Sequence, residues 1–558
     1  MRRSGGARAG WLFGPGPDLL LGCGGLYACT LMAFSVGGAG LRSAVEGLYW
    51  LAPLLVLVIG APHYGATVLR VYEHRSDRRA YLYFALHATL VIAAAFVVAL
   101  YQRGVAVFLV TLYLTWSPWH YTGQNYGLAV MFLRRGGVSI EPVAKRWLYA
   151  SFLLSFAGTV LIFHGSGSAP DPEFASGPPD YFASIGIPKA FNDVAFPLCF
   201  GGSLLSLAVA GLRFRRAGAA WRALGPAGAI AGLQALWFTL PFAIRHWGLE
   251  IGPAPLQWSQ RTYYFFWIAL GHSLQYLWIT SYYARQSERW PERAGGLRYF
   301  AKVLVAGTAV WTFPVVLFDP SRFGLLPNTA ALSLLVASVV NLHHFVLDGA
   351  IWKLRQGRIA DVLVRRPRES ELPTPHAEER GLGRRLVWAL AVLTAAVAFF
   401  RYANLDVLFP RAVARQDFAA ARAALERLSW VTALSEDAMS HVDQREQHAE
   451  LWRSAQQRRA ERRMGVIPSV TPHLRRAALH VEQGEWSDAI EDYEAGLQLD
   501  PTNGALLRGA GRAWLESGDP ERAAALFEGA LALYPWDEES RQGLARARRR
   551  TGARRAGD

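Results

Sequence analysis

The chain has 558 residues, too many for one globular core at roughly 150 residues per domain, so at least one domain boundary is expected. Lys and Arg number 58 against 43 Asp and Glu, a net charge of +15, yet 52% of residues are hydrophobic and only 18% charged, which excludes a disordered chain. The 20 Trp, 21 Tyr and 29 Phe at low charge density argue against nucleic acid as a partner and for lipid-facing helices flanked by cations. Three Cys exclude a disulfide scaffold; Cys23, Cys29 and Cys199 lie in apolar runs and read as small buried hydrophobes.

Nine stretches free of Lys, Arg, Asp and Glu are each long enough to cross about 30 Å of hydrocarbon at about 1.5 Å per residue. They are 19–41, 47–69, 80–102, 104–133, 147–170, 194–212, 223–244, 262–284 and 323–347. Two shorter runs, 303–318 and 386–400, join them if flanking Arg and Lys snorkel, giving eleven predicted transmembrane helices. The first follows a basic segment (Arg2, Arg3, Arg8), as in a signal peptide, but its 23 uncharged residues exceed a typical signal core and predict an anchor. With the N-terminus cytoplasmic, 29 Lys and Arg fall in inside segments and six (Arg42, Arg103, Lys189, Arg245, Arg261, Arg322) in outside ones. This predicts an inner-membrane, multi-pass domain over 1–402 whose partner is the lipid bilayer. An odd number of spans puts the C-terminal part outside, in the periplasm of a Gram-negative cell; if 386–400 lies on the surface, that part is cytoplasmic.

Beyond Pro410 the composition changes to Ala, Arg, Glu and Leu at helical spacing. Gly484, Ala489, Tyr493, Gly496 and Pro501 recur 34 positions later as Gly518, Ala523, Phe527, Ala530 and Pro535. This resembles the tetratricopeptide repeat, in which small residues let two antiparallel helices approach, an aromatic ring fills the gap and Pro ends the second helix. The resemblance implies two repeats over 470–537, a capping helix and basic tail over 538–558, and a groove for a protein or peptide partner. The stretch 403–469 is expected to be a helical linker or a degenerate repeat that packs on them. The fold class is therefore all-α: a polytopic helical membrane bundle followed by an α-solenoid. A helical lid that only stabilises or oligomerises the membrane part is the alternative for the repeats.

Ionisable groups inside spanning helices are costly and normally mark a site. His63, His87, His120, His272 and the pair His343–His344 sit on five different predicted spans. Counted from the next inside cation, His63, His87 and His343 lie about 10–15 Å deep and His120 and His272 about 20 Å, so one layer can hold them all. Imidazole suits Fe, Zn and Cu, and ligand His needs a partner that fixes its tautomer. Gln124 follows His120 by four residues, Gln275 follows His272 by three and Asp348 follows His344 by four, each on its histidine's face. The predicted ligands are thus His63, His120, His272 and His343 or His344, with Gln124, Gln275 and Asp348 orienting them around iron that activates dioxygen. His87, lacking a polar companion, is the expected bystander, adjacent His343 and His344 point about 100° apart, and His164 and His246 are expected to have ordinary surface roles. Asp348 can instead pair with Lys353 or Arg355.

Pro62-His63, Trp119-His120-Tyr121, His272 and His343-His344 together resemble the Brp/Blh family of membrane carotene-cleaving dioxygenases. That likeness implies an all-helical membrane fold with iron held by His from several helices. The family has an acidic residue shortly after its first His, where this chain has Tyr64-Gly65-Ala66-Thr67, and it lacks a repeat domain. Two other classes compete. Polytopic glycosyltransferases that use polyprenyl-phosphate sugars also join spans to tetratricopeptide repeats; their acidic chemistry would fall on Glu46 or Asp171 here. A non-catalytic scaffold that displays a peptide-binding domain requires least.

Overall fold

A computed structural model describes residues 10–36, 52–72, 81–165, 181–248, 261–288, 295–318, 331–352, 361–365, 382–431, 439–440, 442–447, 449–450 and 470–555. The chain divides into two compact units, Met1–Asp406 with Val431–Ala433, and Val407–Trp430 with Leu434–Asp558. Among the described residues every regular element is helical, apart from one bridge between Gly165 and Ile187.

The main helices of the first unit are α1 (Gly25–Val36), α2 (Ala52–Tyr72), α3 (Tyr83–Tyr101), α4 (Arg103–Arg135), α5 (Pro142–Phe163), α6 (Lys189–Arg216), α7 (Trp221–Ile244), α8 (Arg261–Glu288), α9 (Gly295–Leu317), α10 (Leu332–Ile351) and α11 (Leu382–Ala414), whose residues from Val407 on belong to the second unit. Eight of them, α2, α3, α5, α6, α7, α9, α10 and α11, are long and apolar enough to cross a membrane by length and composition. Eleven were predicted. The end of the first predicted span, 37–41, lies outside the described residues. Helices α4 and α8 are long, at 33 and 28 residues, but diluted by polar groups such as Thr122, Gln124, Asn125 and Gln275. The short run at 386–400 lies inside a 33-residue helix. Large apolar side chains point outward on several of them: Val91, Leu198 and Val387 are 68%, 69% and 67% exposed. Cys29 is exposed as well and not a core residue; only Cys23 of the three is buried.

Interior contacts set how the helices face. Helices α2 and α9 touch backbone to backbone, because a Cβ on Gly65 would strike the Val303 carbonyl and one on Gly307 the Ala61 carbonyl. Pro62 has no N–H to donate, and the helix just before it, Val56–Gly60, widens to a π-helical turn. On α4, Asn125 donates to Gln234 at 3.0 Å, and Gln234 donates to Thr122 at 2.9 Å and to Ser155 at 3.1 Å. Thr122 and Asn125 lie about 140–160° around the helix from His120. Tying them to α5 and α7 therefore turns His120 the other way.

The second unit contains α12 (Phe418–Ser429), α13 (Thr471–Gln483), α14 (Trp486–Leu499), α15 (Gly504–Ser517), α16 (Pro520–Leu533) and α17 (Glu538–Arg555). Gly484 and Gly518 end α13 and α15 with φ of 78° and 98°, a left-handed turn that favours glycine. Ala489 and Ala523 are fully buried between helices, and Pro501 and Pro535 follow the second helix of each pair. The Tyr493 ring covers Gly509 and the Phe527 ring covers Gly543, so the aromatic-on-glycine contact itself recurs 34 residues on and carries the repeat register into α17. Within 403–469, the described parts are helical, and Ala412, Phe418, Ala421, Leu425 and Val442 form a small core of their own.

Candidate metal centre

Four helices of the first unit each bring one imidazole to a common point: α2 His63, α4 His120, α8 His272 and α10 His344. One ligand atom from each lies within 4.8 Å of every other. The Nε2 atoms of His63 and His272 are 3.1 Å apart. Ring centroids are separated by 4.2 Å for His63 and His344, 4.8 Å for His120 and His344, and 4.9 Å for His120 and His272. Nitrogens that share an ion through bonds of about 2.0–2.1 Å stand about 3–4 Å apart.

Every one of these rings has a buried nitrogen with no hydrogen-bond partner: Nδ1 of His63 and His272, Nε2 of His120 and His344. An unsatisfied buried polar atom costs about 1–3 kcal/mol. Four such atoms in one cluster are a concentrated penalty; a cation bound between the rings would relieve it at His120 and His344, whose Nε2 atoms have no other partner, and would lie where the Nε2 atoms of His63 and His272 already approach. The donor set fits such an ion: four neutral imidazoles from separate helices, with one carboxylate, Asp348, beside them.

One helical turn beyond the rings lies a hydrogen-bonded layer. Thr67 is four residues after His63, Tyr276 four after His272 and Asp348 four after His344, so α2, α8 and α10 run in the same direction past the centre. Thr67 Oγ1 is 2.9 Å from His344 Nδ1 and donates to Asp348 Oδ1 at 3.1 Å. Tyr276 donates to the same Oδ1 at 2.6 Å and accepts from Trp352 Nε1 at 3.0 Å. Thr67 Oγ1 is also 2.6 Å from Tyr276 Oη, whose own hydrogen goes to Asp348; the single Thr67 hydrogen thus serves Tyr276 or Asp348, which assigns the proton of the His344 contact to its Nδ1. Its Nε2 is left as a lone pair toward the centre.

The other predicted site residues lie elsewhere. His343 turns away from the cluster: its Nε2 is 2.8 Å from Thr89 Oγ1 and 3.3 Å from Tyr72 Oη, as the angle between adjacent helical residues demands. Gln124 donates to Gln275 at 2.5 Å, and Gln275 donates to the Gly22 carbonyl at 2.8 Å, so these amides pin α4, α8 and the N-terminal segment together rather than orienting His120 and His272. His87 is exposed and stacks on Tyr83. His164 is buried, not at the surface, and held by Thr115 and the Ile185 amide. Lys353, Arg355, Glu46 and Asp171 lie outside the described residues. Thr67 and Tyr276 escaped the sequence reading, although both sit four residues after a predicted ligand, the same spacing that singled out Asp348.

A cavity of about 320 Å³ adjoins the cluster. His120 and Asp348 are on its wall, with Trp116, Trp119, Phe345 and Trp352 supplying apolar surface. Gly123 and Gly127, on the His120 side of α4, have open space where a Cβ would stand, so the absent side chains leave room for a ligand.

Residues 480–546 match the family model for the tetratricopeptide repeat. No curated protein and no solved structure matches the chain. The match covers the second unit only, and there it makes the C-terminal helices a tetratricopeptide-repeat segment, a type of structure that generally mediates protein–protein interaction.

Proposed function

We propose that the first unit is a multi-pass inner-membrane domain that holds a metal ion, iron, through His63, His120, His272 and His344, and that it oxidises or cleaves an apolar, lipid-soluble molecule. The repeats bind a protein or peptide partner on the periplasmic side. The observation that carries the reading is the convergence of four imidazoles, each with an unpartnered buried nitrogen, inside a bundle that turns large apolar side chains outward on several helices. The likeness of the His-bearing segments to Brp/Blh dioxygenases points the same way.

When bound, such a metal supplies one-electron and dioxygen chemistry that side chains lack. The chain does the rest. The aromatic wall of the cavity binds the apolar substrate next to His120, the packed bundle excludes water, and Thr67 holds the proton of His344 on Nδ1.

The test is the metal content of the purified protein. Near-stoichiometric iron in the wild type, lost in His120→Ala, supports the reading. No iron, copper or zinc in the wild type rejects it and leaves a membrane scaffold that acts through its repeats.

A further inference from the structure

The carboxylate beside the cluster has two oxygens in different situations. Asp348 Oδ1 accepts hydrogen bonds from Tyr276 at 2.6 Å and from Thr67 at 3.1 Å. Asp348 Oδ2 faces the other way, 3.5 Å from Nε2 of His344 and 3.8 Å from Nε2 of His120. Both nitrogens are buried and without a hydrogen-bond partner, and the separations are too long for a hydrogen bond. They are the separations of atoms that share an ion: two bonds of about 2.0–2.2 Å, opened to a tetrahedral angle or somewhat wider, place their donors about 3.4–3.8 Å apart.

We propose that Asp348 is a fifth ligand of the ion, through Oδ2, so that the centre is a four-nitrogen, one-oxygen site with a charged member. This deepens the metal reading and rests on it. Four neutral imidazoles bring no negative charge, and a divalent cation in a bundle interior is costly without one. One carboxylate halves that charge. Oxygen also shifts the set away from soft monovalent copper toward ferrous iron, manganese or zinc. The hydrogen bonds from Tyr276 and Thr67 fix the plane of the carboxylate and keep Oδ2 aimed at the rings. Since Asp348 also lines the cavity, the charged ligand stands on the side where a substrate meets the ion.

Cobalt(II) reports coordination number directly, because four-coordinate Co²⁺ absorbs visible light several times more strongly than five-coordinate Co²⁺. The full chain, purified in detergent and stripped of metal, is titrated with Co²⁺ alone. The wild type should bind one Co²⁺ with the weak bands of a five-coordinate ion. Asp348→Asn should bind about ten-fold more weakly or worse and show the stronger four-coordinate bands, and Asp348→Glu should restore much of the wild-type spectrum. Tyr276→Phe removes one of the hydrogen bonds that orient Asp348, so it should weaken Co²⁺ binding while keeping the five-coordinate band shape.

Four-coordinate bands in the wild type would overturn the proposal, and this arm needs no variant to fold. So would an Asp348→Asn spectrum identical to wild type, or equal changes in Asp348→Asn and Tyr276→Phe, which would make Asp348 a positioning residue. A wild type that binds no Co²⁺ fails differently: it removes the metal reading together with this one.

Discussion

Thr67 on α2 and His344 on α10 are 277 positions apart in sequence, and the hydroxyl oxygen of one lies 2.9 Å from Nδ1 of the other. That contact, with the Thr67 hydrogen bond to Asp348, fixes which nitrogen of His344 faces its three neighbours. Thr67→Val keeps the shape and removes the hydroxyl. It should weaken metal binding by about 10–100-fold, the usual effect of losing the group that orients a ligand. Equilibrium dialysis against Zn²⁺ measures it, and circular dichroism should show unchanged helix content.

The neighbours His343 and His344 should separate cleanly. His344→Ala should abolish stoichiometric metal, whereas His343→Ala, which loses only its contacts with Thr89 and Tyr72, should retain it with a modest drop in thermal stability of about 1 kcal/mol. Elemental analysis of both proteins from one preparation decides the matter. Equal metal loss would place His343 in the centre after all.

Gly307→Ala inserts a methyl group where α9 meets the Ala61 carbonyl of α2. Overpacking of this kind costs about 1–3 kcal/mol, and the displaced strip of α2 carries His63. A lower melting temperature in detergent should accompany weaker metal binding. Gly211→Ala on α6, where a Cβ meets open space, is the control and should change neither.

In the repeats, acid should loosen the end of the array. Burial raises the pKa of the Asp537 carboxyl, but hydrogen bonds from Ser540 and Arg508 outweigh it and hold the pKa below its ordinary 3.8. Ser540 donates at 2.6 Å and the Arg508 guanidinium at 3.0 Å. The stability from a lowered carboxylate pKa is fully present above the unfolded value and drains away as pH falls through the folded one. Hydrogen exchange in α15 and α17 should therefore accelerate below about pH 4, and Asp537→Asn should lose that pH dependence. Acceleration that begins near neutrality would contradict the assignment.

Much of the architecture was legible because it rests on local chemistry. Long uncharged runs read as helices and became α2, α3, α4, α5, α6, α7, α8 and α10, and the shorter run 303–318 became α9. The short run at 386–400 was underestimated because charges at its flanks do not stop a helix: Arg384, Arg385 and Arg401 lie within the continuous α11. The 34-residue recurrence read correctly as tetratricopeptide repeats because each matched position answers to one packing need, such as an aromatic ring over a glycine. Gln124 and Gln275 were misjudged. Helical spacing places an amide on the face of its histidine, but each amide is drawn to whatever acceptor the next helix presents, and here that was the other glutamine and a backbone carbonyl.

Sequence alone determined the helical content and the repeat period, and it singled out a group of histidines as candidates. All are properties of periodicity and of where charge is absent. Which four rings converge, that His343 turns to Thr89 and that Thr67, Tyr276 and Asp348 form the layer beneath were decided by the rotation and depth of α2, α4, α8 and α10 against one another. Those are set by contacts hundreds of residues apart, Gly65 on Gly307 and Asn125 on Gln234 among them, and no local pattern in the chain encodes them.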